Sequence, residues 1–454
     1  MSAQPRKNND RPLGPVDLRQ VTRLWFPLAA SWALMAIEMP LLAAVIGRLP
    51  DERLHLAAYG GIAFPIALVV EAPIIMLLAA STALCHDWQS TRYVRSFMRY
   101  AAVALTLLHA LVAFTPIYDW VAQDLLAANP LVAESGRLGL QILLPWTAAI
   151  AYRRFMQGLL IRASLSRAVG IGTVVRLAAN ASVLIGLATL TELPGIAVGS
   201  WAISAGVTVE AFYIGWVVRP TLARLRATAP GSKPPLTASR FAQFYVPLAL
   251  TPLVTLLLQP LGSAAMNRLP NPIDCLAVWP AVHGLVFLTR SMGFAYNEVV
   301  VALAEQPGSR QVLRQFRNRL ALGTTLVLLL FASTPLARHW FEGVNDLNPF
   351  LAALAGAATA LAVPMPGLQA MQSYFTGLLV SARKTRGITE AVLLFFLVAA
   401  SSLAICVKLG TLRDPGLLFA VASFTLASVV QTSWLAWRVR RAGLAGDAVA
   451  APAS

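Results

Sequence analysis

The chain has 454 residues, of which 57% are hydrophobic and only 12% charged, with a formal net charge of +16 and a mean hydropathy of +0.66. A soluble globular domain carries roughly 25% charged residues; half that share cannot cover a water-facing body of this length, so the composition excludes a soluble enzyme or binding module. The basic residues lie between apolar runs rather than in one patch, which excludes nucleic acid as the partner and fits a chain threaded through a bilayer.

In chain order, residues 1–23 are polar and basic and read as a cytoplasmic tail. Twelve apolar runs follow, at 24–47, 57–84, 96–117, 138–162, 168–190, 197–219, 241–266, 275–303, 317–337, 348–380, 387–408 and 415–437. Each approaches the length that crosses a hydrocarbon core of ~30 Å as a helix, and the longer ones must tilt or extend beyond it. The first run is long and carries Glu38, unlike the short apolar core of a cleavable signal, and reads as a retained span. Between the sixth and seventh runs lies a basic linker, 220–240, with Pro220, Pro230, Gly231, Pro234 and Pro235. It divides an N-terminal six-helix lobe, 24–219, from a C-terminal one, 241–441; residues 442–454 read as a disordered tail. The expected fold is therefore an all-α polytopic membrane protein of about 12 transmembrane helices. Of the 36 Lys and Arg residues, 25 fall on the side that holds both tails and 7 on the other. This bias predicts both termini in the cytoplasm of a bacterial-type inner membrane and an even number of spans.

The sequence repeats itself. An offset of 220 superposes Pro27-Leu28-Ala29 on Pro247-Leu248-Ala249, Pro40-Leu41 on Pro260-Leu261 and Arg48-Leu49-Pro50 on Arg268-Leu269-Pro270. An offset of 219 continues through Thr115-Pro116 on Thr334-Pro335, Asn129-Pro130 on Asn348-Pro349, Pro145 on Pro364 and Gly158-Leu159-Leu160 on Gly377-Leu378-Leu379. Chance matching of apolar residues would not align prolines and arginines at loop positions. Six spans per copy give both copies one orientation, so the two lobes are parallel and related by an axis along the membrane normal. Such proteins place their substrate between the lobes near mid-depth, and a duplicated chain of this kind is expected to act as a monomer.

The stretch from Tyr152 to Arg162, Tyr-Arg-Arg-Phe-Met-Gln-Gly-Leu-Leu-Ile-Arg, followed by the Gly-rich segment from Gly170 to Asn180, resembles spans 4 and 5 of the MATE-like multidrug/oligosaccharidyl-lipid/polysaccharide (MOP) exporter superfamily. With Ala58-Tyr59-Gly60 and Ala72-Pro73, it is most similar to the progressive-ankylosis branch. The resemblance implies a V-shaped pair of six-helix bundles around a central cavity, and secondary export of an organic anion or a pyrophosphate-like species. The chain departs from the drug-exporting relatives in having no acidic pair at the positions of their cation sites.

An ionisable side chain at bilayer depth costs at least ~2.5 kcal/mol on insertion scales, so each is a functional candidate by default. Glu71 and Arg290 lie near the middle of the second span of their lobes at the repeat offset. They read as a pair at the cavity that binds substrate and re-forms as the lobes rock, or else as a fixed interlobe salt bridge or as two charges each satisfied within its own lobe. Arg153 and Gln157 share one helical face with Ile150, as Gln369, Gln372 and Thr376 do at matching positions of the second lobe. That recurring polar stripe predicts a shared wet cavity in which Arg153 grips a carboxylate or phosphate. Arg154 lies about 100° around the helix and is expected to snorkel or pair structurally. Arg176 and Glu210 sit at one depth on consecutive spans and are expected to form a structural ion pair. Glu38, just before Pro40, is a candidate for ion coupling, with a hydrogen bond to kinked backbone as the alternative.

There is no Walker A sequence, GxSxG, HExxH or CxxC, and Cys85, Cys275 and Cys406 are far apart; neither an enzyme activity, a cofactor nor a metal site is expected. The sequence thus predicts a secondary active transporter or exporter of an anionic or amphiphilic solute. A flippase of lipid-linked oligosaccharide and a non-transporting membrane-integral enzyme or scaffold are the other readings. Its partners are a small-molecule or lipid-linked substrate and the membrane lipids.

Overall fold

Every apolar run is a helix in the computed structural model, which describes residues 16–163, 165–227, 236–306, 308–382, 384–409 and 414–444. The long segments are α1 (Leu18–Ile46), α2 (Glu52–Leu84), α3 (Trp88–Phe114), α4 (130–162), α5 (Ser166–Leu190), α6 (Gly195–Val217), α7 (Ala238–Asn267), α8 (Pro272–Leu303), α9 (Ser309–Ser333), α10 (Pro349–Ser381), α11 (Arg386–Leu409) and α12 (Gly416–Arg441). No strand occurs among the described residues. Ten of the segments are long and apolar enough to cross a membrane, or eleven when α9 is joined to the bent piece after it. The remaining one, α4, carries Arg153 and Arg154 in mid-helix.

Several ends differ from the sequence expectation. α1 starts at Leu18 and α9 at Ser309, because basic turns such as Arg310–Arg319 continue the helix beyond the apolar run, where water or headgroups accept the charges. Part of the expected linker is also helix, at Arg219–Ala227. Pro230, Gly231, Pro234 and Pro235 lie outside the described residues, as does the tail from residue 445 onward.

Prolines set the bends. A proline in a helix removes a hydrogen bond and clashes with the preceding turn; in lipid the freed carbonyls must find protein partners. α1 breaks at Ile37, before Pro40, and α7 at Leu257, before Pro260. α4 breaks at Leu143, before Pro145, and α10 at Val363, before Pro364. Single π-turns stand at Trp120–Leu125 and His339–Val344. In each case the second lobe repeats the first at an offset of 219 or 220. At the start of α3, Asp87 caps the helix by accepting from the Ser90 N–H and Oγ. Burial opposes its ionisation, yet these hydrogen bonds outweigh burial and hold the carboxyl below its ordinary range.

The first lobe contains α1–α6 and the second α7–α12, and the first helix of each crosses to the other lobe on the face that holds the termini. There the Trp25 indole N–H donates to the Met292 carbonyl at 2.9 Å, and the Tyr245 hydroxyl donates to the Pro73 carbonyl at 2.5 Å. On the far face Arg48 donates to the Val344 and Gly343 carbonyls at 2.7 and 3.0 Å. Arg268 donates to the Leu125 and Asp124 carbonyls at 3.0 and 3.1 Å. Donors and acceptors of both sets correspond at the repeat offset, so the duplication is expressed in hydrogen bonds between lobes. Inward from the far face the seam is close. A Cβ on Gly60 would meet Pro280 Cγ at 2.4 Å, and one on Gly284 would meet Pro40 Cδ at 2.8 Å. Facing outward, Leu190 and Phe212 are 84% and 74% exposed, a cost in water that lipid contact removes.

Candidate functional site

Beyond that seam, toward the face of the termini, the lobes part around a cavity of ≈ 740 Å³. Glu38, Glu71, Arg153, Arg154 and Arg176 line it from the first lobe; Gln259, His283, Arg290, Gln369, Gln372 and Thr376 line it from the second. The polar stripe of α4 and its counterpart on α10 therefore both reach the cavity.

Four of the first-lobe charges, Arg153, Glu210, Arg176 and Glu38, form one network. Arg153 and Gln157 are four residues apart on α4, on one helical face, and both reach Glu210 of α6. Arg153 Nη1 lies 2.5 Å from Glu210 Oε2, and Gln157 Nε2 donates to Oε1 at 2.9 Å. Arg176 and Asn180, likewise four apart on α5, reach Glu38 at the bend of α1, at 3.2 Å and 2.7 Å. Arg176 Nε is also 3.7 Å from Glu210, which joins the two halves. Two guanidiniums thus meet two carboxylates, and the unit is electrically neutral. Glu210 is fully buried; buried charges persist only when paired and hydrogen-bonded in this way.

Four charged groups at the cavity stand outside that unit: Glu71, Arg154, Arg290 and Glu298, the last hydrogen-bonded to Trp32. Glu71 is 4% exposed, and its Oε2 has no hydrogen-bond partner; the charges that act on it most are those of Arg154, then Arg153 and Arg176. No ion pair joins it to Arg290 among the described residues. Arg290 instead donates to Gln369 Oε1 at 2.7 Å, and its Nε has no partner. Arg154 lines the cavity with its Nε unpaired and takes part in no ion pair among the described residues. Gln372 is held by Thr432 and the Ser428 carbonyl of α12, at 3.0 and 3.3 Å.

The placement of Arg154 departs from the sequence expectation that it would snorkel or pair structurally. Trp146, Ile150 and Arg154 are successive fourth residues of α4 and all line the cavity, so a second stripe beside the 150–153–157 stripe carried the signal. Gln259 and Asn180 were missed as well, since nothing in a single amide's local sequence announces its partner.

Solved structures resemble this arrangement over almost its whole length. An inward-facing multidrug resistance MATE family transporter of the MOP superfamily superposes with a TM-score of 0.68 at 13% identity, covering 94% of this chain and 99% of the other. The chain has a MATE-like fold. The lipid II flippase MurJ, in an inward closed conformation, gives 0.70 at 12% identity, over 91% of this chain and 87% of that one. A MOP superfamily transporter from Pyrococcus furiosus, described as having a binding pocket of reversed polarity, gives 0.60 at 14% identity over 94% and 97%. No family model and no curated protein sequence matches the chain. The cavity is lined from both six-helix bundles.

Proposed function

We propose that the chain is a secondary transporter that moves an anionic or amphiphilic solute by rocking its two lobes about this cavity. An organic anion or a pyrophosphate-like species, as in the progressive-ankylosis branch, is the candidate class, and the membrane is a bacterial-type inner membrane with both termini in the cytoplasm. The observation that carries this reading is the position of Arg154 and Arg290. Each lines the cavity, and neither is in an ion pair among the described residues. A cation kept at bilayer depth without a carboxylate bonded to it is costly unless an anion visits it. Arg153 and Gln157, which the sequence suggested as ligand contacts, are engaged by Glu210; their role is to hold the wall from which Arg154 projects. Gln369 orients Arg290, Gln372 ties α10 to α12, and Glu71 faces Arg154 as the group a bound anion displaces.

Glu38 is the coupling group. Protonating it cancels one carboxylate of a neutral network, leaves a net positive charge beside the cavity, and frees Arg176 at the bend of α1. Proton arrival and anion binding then favour one another. The likeness to MurJ supports a second reading, a flippase whose lipid-linked substrate presents its phosphate to the same arginines. Flux into proteoliposomes tests both. Arg154→Gln and Arg290→Gln should each lower anion flux by about tenfold, the effect of losing ~1.4 kcal/mol of charge-assisted binding. Unchanged flux in both variants would remove the anionic substrate. Flux of a lipid-linked pyrophosphate without flux of soluble anions would decide for the flippase.

A further inference from the structure

The second-lobe wall of the cavity is aromatic. Trp279, His283 and Phe287 are successive fourth residues of α8, and Phe294 follows seven later on the same face. Their rings touch in sequence: Trp279 to His283 with centroids 5.3 Å apart, His283 to Phe287 at 6.1 Å and 12° from parallel, Phe287 to Phe294 at 5.7 Å. Trp32 of α1 stacks on Phe294 at 5.2 Å and extends the row across the lobe boundary. All five line the cavity. An aromatic stripe at helical spacing is ordinarily core, but this one borders open space. The Arg290 guanidinium lies 5.6 Å from the Phe294 ring centre, and its hydrogen-bond partner among the described residues is the neutral Gln369.

We propose that this wall is a binding subsite for a planar aromatic anion, an aryl carboxylate or aryl phosphate whose ring extends the stack while its acidic group takes Arg290. The proposal rests on the cavity being the transport site and names the class of anion it prefers. Three observations support it. π-Faces and edges bordering a cavity are matched by another ring, in offset or edge geometry, better than by an aliphatic group of equal area. Arg290 is within about one helical turn of both Phe287 and Phe294 on α8, so the acidic group belongs directly on the ring rather than at the end of a linker. On the opposite wall Arg153 and Arg176 are engaged by Glu210 and Glu38 and Arg154 projects from α4, so Arg290 is the cavity cation carried on the same helix as the rings. A compact anion such as pyrophosphate would use Arg290 but leave the row of rings facing water.

Binding to the full chain in nanodiscs, measured by titration calorimetry, separates the possibilities with three ligands: 2-naphthoate, decahydro-2-naphthoate and neutral 2-naphthylmethanol. The intact protein should bind 2-naphthoate about tenfold tighter than either analogue, the span of one lost interaction of ordinary strength. Phe287→Leu and Phe294→Leu keep the apolar volume and should abolish the preference for the aromatic acid over its saturated analogue. Arg290→Gln should abolish the preference for the acid over the alcohol. Equal binding of the two acids by the intact protein overturns the aromatic subsite, as does binding that none of the three substitutions alters. Absent naphthoate binding with continuing pyrophosphate flux overturns the subsite and leaves the transporter reading in place. Loss of flux for every anion removes both.

Discussion

At the scale of single residues, adjacent arginines on α4 have different work. Arg153 is 4% exposed and bonded to Glu210, whereas Arg154 opens on the cavity with no ion-pair partner among the described residues. Removing one partner of a buried pair strands the other charge, so Arg153→Gln should destabilise the fold by ~3–5 kcal/mol. Arg154→Gln should leave stability nearly unchanged while lowering flux. Thermal unfolding in detergent, run beside the flux assay, reads both effects, and equal destabilisation by the two changes would contradict the division. Glu38 differs again, because it is the carboxylate of the network that sits at the bend of α1 and takes Arg176 and Asn180. Glu38→Gln mimics the protonated state and keeps a hydrogen-bonding amide toward Asn180. Downhill anion flux should persist in that variant but lose its response to an imposed pH gradient; a retained response would place coupling elsewhere.

At the scale of elements, the bends and latches decide which face is closed. α1 and α7 break ahead of Pro40 and Pro260, so each can leave its own lobe on one face and rejoin it on the other. The far face is held by Arg48 and Arg268, each gripping the last carbonyls of a π-turn in the opposite lobe. Those carbonyls carry the negative end of a short helix and suit a guanidinium. Arg53 and Asp274, 3.4 Å apart at the starts of α2 and α8, add a weaker exposed tie. A hydrogen bond to a charged group contributes ~1.5–3 kcal/mol, so the double change Arg48→Ala with Arg268→Ala should shift the lobes by enough to open the far face. A cysteine placed at Gln259, in a background with the native cysteines replaced, should become at least about tenfold more reactive to a membrane-impermeant reagent from that face. Unaltered reactivity would mean the close packing of Gly60 on Pro280 and Gly284 on Pro40 holds the seam by itself.

At the scale of the whole molecule, much was legible in the sequence because it depends on length, composition and spacing alone. Apolar runs of bilayer length cross it as helices, and coincident prolines at one offset mark a duplicated bundle; neither needs any knowledge of packing. The paired breaks stand ahead of prolines that the repeat aligns, although Pro27, Pro73, Pro247 and Pro280 lie within continuous helices. Which charges meet was another matter. Glu210 is 57 residues from Arg153, and Glu38 is 142 from Asn180. Arg153, not Arg176, makes the short contact with Glu210, while Arg176 turns largely to Glu38. These choices depend on how far each helix is rotated about its axis, and that rotation is fixed by side-chain packing such as the approach of α4 to α2 at Gly158. The sequence by itself determined residence in the membrane, the helical class and the twofold plan, because apolar runs of about twenty residues satisfy their backbone hydrogen bonds in lipid as helices and the repeat is written in the order of residues. Only the tertiary structure decided which ionised groups neutralise one another and which are left facing the cavity, because that depends on a few ångströms of helix rotation that no local pattern encodes.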